Sequence, residues 1–111
     1  MTPEAFYSPD FVADIRTCLS SRGVVCHNFH SGKAELDLRL EDACAAYAAA
    51  FPGAACRVPA RRFNTIVAAS RRETAFSASV EGLQFAAQRE REERGILFDA
   101  SARLDGLRRL G

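Results

Sequence analysis

Two stretches of this chain, residues 24–51 and 64–91, read alike as strand, turn, strand and helix, and that recurrence constrains the fold more than any other feature. Aligned, Leu36, Leu38 and Leu40 fall on Phe76, Ala78 and Val80, and Glu41 falls on Glu81. Identity between the stretches is very low, so apolar alternation in two unrelated hairpins competes with duplication. Either origin predicts the same architecture. It is one α+β domain over residues 1–111, with an N-terminal helix, two strand-strand-helix units and a C-terminal helix. Its four-stranded, largely antiparallel sheet is covered by helices on one face.

At 111 residues the chain suits a single core and buries about 65% of its unfolded surface without a covalent staple. The apolar share of 48% is ordinary, and no stretch approaches the roughly 18 apolar residues that open a membrane span. A soluble protein is expected. The first residues, from Met1 to Phe6, lack the basic-then-apolar order of a secretory signal, which points to the reducing cytoplasm and free thiols.

The net charge of +1 conceals two halves of opposite sign. Residues 1–50 hold four basic and seven acidic side chains, and residues 51–111 hold eleven and seven. Arginine supplies 14 of the 15 cations, a bias that GC-rich coding produces together with abundant alanine.

Local signals place the elements. Ser8, Pro9 and Asp10 start a helix: a capping hydroxyl, a proline suited to the first position, and a carboxylate at the positive end. Phe11, Ile15 and Leu19 follow at helical steps until Gly23 permits a left-handed stop. Residues 24–29 read as a strand and Ser31–Gly32 as a turn. Leu36, Leu38 and Leu40 then alternate with Glu35, Asp37 and Arg39, describing a half-buried strand. A second helix begins near Glu41, places Cys44, Tyr47, Ala48 and Phe51 on one face, and ends at Pro52–Gly53.

After a short strand around 56–58, Phe63, Thr65, Val67 and Ala69 alternate along a strand that turns at 70–73 and returns through Phe76, Ala78 and Val80. A helix over 60–72 is the competing reading. A third helix runs from Gly82 to Arg94 and ends in charge, with Arg89–Glu93 and Glu90–Arg94 one turn apart. Asp99 caps a last helix whose Leu104, Leu107 and Leu110 form a stripe, serving either the domain's own core or a homodimer.

Chemistry is sparsely signalled. Cys26, His27 and His30 come nearest to a metal cluster, with Cys44 or Cys56 as added thiolates, but the chain has no CxxC and a strand sends His27 to the face opposite Cys26 and His30. There is no GxSxG, GxxxxGK[ST], GxGxxG or HExxH. The expectation is no catalytic residues, no metal and no cofactor.

Arg57, Arg61, Arg62, Arg71 and Arg72 put five cations in sixteen residues without an acid. On a hairpin with 70–73 at its tip, Arg71 and Arg72 mark the end and Arg61 and Arg62 the base. Such a cluster suits phosphates or acidic side chains, with Phe63 available to anchor or stack. The expected function is that of a small non-catalytic cytoplasmic binding protein, an inhibitor or adaptor on a larger protein or nucleoprotein complex, of the kind that phages and other mobile elements encode. The alternative is a nucleic-acid-binding regulator that sets the same arginines on phosphates, although a pI near 7.7 lies below the pI above about 9 of dedicated binders.

Overall fold

The first helix has its start written in its capping residues. In the computed structural model, which describes residues 7–61, 63–72, 74–76, 80–95 and 104–110, helix α1 spans Pro9–Cys18, with Ser8 Oγ accepting from the Phe11 N–H at 3.3 Å. Val12 is its fully buried contact with the core. The helix ends at Cys18, before Gly23, and Gly23 does not take the left-handed conformation; its N–H closes a turn onto the Ser20 carbonyl at 3.0 Å. Serines at 20 and 21 favour such local turns over helix continuation, and the Leu19 carbonyl accepts from the Arg71 guanidinium at 2.6 Å.

The fold is α+β, with three helices and an antiparallel four-stranded sheet among the described residues. Strand β1 (Val24–His30) is followed by helix α2 (Ala34–Ala50), strands β2 (Ala55–Arg61) and β3 (Asn64–Ser70), helix α3 (Val80–Arg94), a 3-10 turn at Leu104–Gly106 and the two-residue strand β4 (Arg108–Arg109). Sheet order is β1-β3-β2-β4 and every pairing is antiparallel. The cross-strand rows Val25–Ala69–Ala55, His27–Val67–Arg57 and Phe29–Thr65–Pro59 share one face. α2 covers that face with Leu40, Ala43, Tyr47 and Phe51, and α1 packs on α2. The other face bears Cys26, Ala68 and Cys56, then Asn28, Ile66 and Val58.

Three sequence expectations give way. Residues 36–40 are helix rather than strand, so the first unit is strand-helix and the supposed repeat ends there. Leu36 and Leu40 are one helical turn apart, and Leu40 is 1% exposed while Leu38 points to water at 70%; a spacing of four serves a helix as well as a strand.

The second hairpin is not residues 63–69 with 76–80. β3 pairs with β2 before it and with β1, and Val80 opens α3. Residues 77–79 of the expected return strand lie outside the described residues, and 74–76 form a turn. The competing helix over 60–72 is replaced by the end of β2 and the whole of β3.

At the C-terminus, residues 96–103, with Asp99 among them, lie outside the described residues, and the expected last helix is the 3-10 turn and β4 over 104–109. Leu110 packs against the core and donates its N–H to the Ala55 carbonyl at 2.9 Å, so it closes the domain's own interior. The Arg89–Glu93 and Glu90–Arg94 pairs form as spaced, at 3.1 and 2.5 Å.

Candidate functional site

At the β2–β3 turn a half-exposed aromatic ring sits on a pinned backbone. Arg61 ends β2 and Asn64 opens β3, with a register shift between Pro59 and Arg61. Proline has no N–H for the ladder, so a strand that contains it bulges there. Phe63 lies in the turn and is 54% exposed. Its carbonyl accepts the Ser31 N–H at 2.8 Å, and the Thr65 and Ser31 hydroxyls meet at 3.1 Å, so the β1–α2 connection is stitched to the turn.

Gly32 lies beneath the ring with φ +93°, and a Cβ there would come within 2.9 Å of Phe63 Cδ1. Only glycine combines that dihedral with so close an approach at low cost. The Gly32 N–H is held by Asp37 Oδ1 at 2.9 Å. His30, which pairs with Asn64, and Lys33, the residue after Gly32, are both exposed. This end of the sheet therefore carries the Phe63 ring over the Gly32 backbone, with Lys33 next along the chain and the backbone of Arg61 closing β2. Asp37 is already engaged with the backbone.

The arginines picked out in the sequence do not form one patch. Arg57 faces the helices: its guanidinium bonds Glu41 Oε1 at 2.5 Å and approaches Cys44 Sγ at 3.9 Å, and only 16% of its side chain is exposed. Arg57 is thus an internal ion pair and leaves the expected docking cluster. Arg71 and Arg72 are exposed but follow β3 at the end opposite Phe63, about 23 Å away along seven residues of strand. There Arg71 binds the Leu19 carbonyl, and the Arg72 N–H donates to Ser70 Oγ at 3.1 Å. Arg61 stands at the tip of the actual hairpin, not at the base of the expected one, and Arg62 lies outside the described residues. Phe63 and Arg61 stay together. The structure adds His30, Gly32 and Lys33, which a turn at Ser31–Gly32 in the sequence could have brought forward had β1 been paired with β3.

The Cys26, His27 and His30 trio is split by the strand. Cys26 and His30 are exposed on the open face, whereas His27 turns to the core, 4.0 Å from the Phe29 ring, with Nδ1 3.2 Å from the Tyr47 hydroxyl. Burial holds His27 below its usual 6.5 and pushes the Tyr47 phenol up to about 12. Burial also raises the Cys44 thiol, against the pull of Arg57, and lifts Cys56 to about 11, so both stay protonated at neutral pH and are poor nucleophiles. Among the described residues no three His, Cys, Asp or Glu side chains stand together as metal ligands, and no helix is long and apolar enough to cross a membrane.

Comparison of the chain with protein-family models, with curated proteins and with solved structures found no match.

Proposed function

We propose that this chain is a small non-catalytic cytoplasmic binding protein, an inhibitor or adaptor that occupies an acidic surface on a larger protein or nucleoprotein complex, of the kind encoded by mobile elements. The observation that carries this reading is the exposure of Phe63 on a backbone fixed by Ser31 and Gly32, at a turn where Lys33 follows Gly32 and Arg61 ends β2. An aromatic anchor held rigid before contact loses little entropy on docking, and central aromatic and arginine residues dominate interface energies.

Affinity capture from the native cell, with wild type and variants as bait, tests this. A partner held by wild type and by the control Phe85→Ala should be lost about thirtyfold with Phe63→Ala, the scale of a central anchor. Equal retention by Phe63→Ala would remove the reading.

The second reading sets the same end on nucleic acid, with Phe63 stacked on a base and the cations on phosphates. Its support is the position of Asn64 next to Phe63 in the chain and of exposed Lys33 next to Gly32, whose backbone meets the ring. The separation of Arg71 and Arg72 from that end argues for a small footprint rather than a long phosphate track. Binding of this kind weakens steeply with salt, with a slope of about −0.7 to −0.9 per phosphate contacted. A gel-shift salt series, with Arg61→Ala and with Arg71→Ala plus Arg72→Ala, separates the readings, and no shift at low salt eliminates the second.

A further inference from the structure

The two edges of the sheet are guarded differently. On one side lies β4, two residues long and both arginine, next to the strand that holds Pro59. Short length, charge and proline are the means by which soluble proteins stop sheet edges from pairing. On the other side lies β1, seven residues with no Lys, Arg, Asp, Glu, Pro or Gly. An antiparallel neighbour satisfies the N–H and C=O groups of alternate residues, so the remaining groups of β1 point away from β3. Among the described residues no other strand or backbone bond takes them up. Beside this edge is a groove of about 520 Å3, lined by Phe11, Ile15, Cys18 and Leu19 on the α1 side, with Asp14 as its one charged group, and by Val24, Val25 and Cys26 on the strand.

We propose that the chain pairs with a second copy of itself through β1, the two strands running antiparallel about a two-fold axis at His27, so that two four-stranded sheets become one of eight.

The sequence of β1 selects this occupant. Side chains alternate between faces, so a two-fold pair continues each helix-covered face into the other only when its axis passes through a residue rather than through a peptide bond. Full overlap of Val24–His30 puts that residue at His27. In this register Val25 opposes Phe29 of the second copy on the covered face, and Phe29 opposes Val25 in return. Cys26 opposes Asn28 and Val24 opposes His30 on the open face. No opposed pair brings two carboxylates or two ammonium or guanidinium groups together, and at a net charge of +1 two chains approach with little mutual repulsion. The same axis sets the two α1 grooves on one side of the joined sheet, so the Phe11, Ile15, Leu19 and Val25 side chains that line them leave water together with the edge.

Light scattering on the full chain after size exclusion reads the outcome. Wild type should double its 12.1 kDa mass. Cys26→Lys with Asn28→Lys, both exposed positions, sets like charges opposite each other twice across the axis and should return the protein to a monomer. Cys26→Lys with Asn28→Glu sets opposite charges there and should keep the dimer. Circular dichroism confirms that each variant is folded. Wild type that stays monomeric up to its solubility limit overturns the proposal and leaves the edge to a foreign strand. A dimer indifferent to the like-charge variant overturns it too, as does loss of the dimer in the charge-swapped variant.

Discussion

The Arg57 guanidinium on β2 lies 2.5 Å from the Glu41 carboxylate on α2, with Cys44 Sγ 3.9 Å away, and this contact ties helix to sheet at a position that the sequence offered as a docking cation. The pair is asymmetric, since the arginine is mostly covered and 62% of the glutamate side chain is exposed. Glu41→Ala should therefore cost about 1 kcal/mol, toward the upper end for partly exposed pairs, because it leaves a covered cation without its partner. Arg57→Met, which keeps the packing stem and drops the charge, should cost less. Urea midpoints of the two variants check the order, and neither should alter partner capture.

The His27–Tyr47 contact predicts a pH dependence. Burial holds His27 below 6.5, so as pH falls the unfolded chain takes up the proton first. Stability is then fully present above 6.5 and declines as pH drops through the folded value of His27. A urea-midpoint series from neutral to mildly acidic pH should show this decline, with a shallower slope in His27→Gln. Identical slopes would assign the acid sensitivity to other groups.

Leu38 and Leu40 distinguish helix from strand by stability alone. As alternating strand residues they would cost the same when replaced, whereas in α2 they point to opposite sides. Leu40→Ala should lose about 2–5 kcal/mol and Leu38→Glu should stay within about 0.5 kcal/mol of wild type. Thermal or chemical denaturation of the two settles the point.

Gly32→Ala should destabilise by about 1–2 kcal/mol from the left-handed backbone and displace the Phe63 ring. Gly53 has φ +71° with open space where a Cβ would stand, so Gly53→Ala bears the backbone cost only. Partner capture should weaken in the first and survive in the second.

The legible parts of the fold were those with one dominant signal. Ser8, Pro9 and Asp10 marked α1, and Thr65, Val67 and Ala69 marked a half-buried strand that the structure retains as β3. The start of α2 is illegible in the sequence because its first residues carry two periodicities at once and its cap position, Lys33, makes no side-chain capping bond. Glu35 and Arg39 at 3.6 Å, one turn apart, are the helical sign that alternation masked. The candidate site followed the same logic. Phe63 and Arg61 were readable as neighbours in sequence, but their company depends on which strand pairs with β3, and pairing between distant segments leaves no local mark. Pro59 shortens the strand legible in the sequence to 56–58, and without its pairing to β3 the arginines fall on the wrong hairpin.

The sheet order also has a consequence for how the chain is made. β2 and β3 are joined by a tight turn, but β1 must wait for a strand on the far side of α2 and β2, with His30 meeting Asn64 and Val24 meeting Ser70. Closing so long a loop is entropically costly and slow. During synthesis β1 leaves the ribosome well before β3 exists, so the newborn polypeptide must carry an uncharged, pairing-competent ribbon through that interval, and chaperone demand should concentrate there.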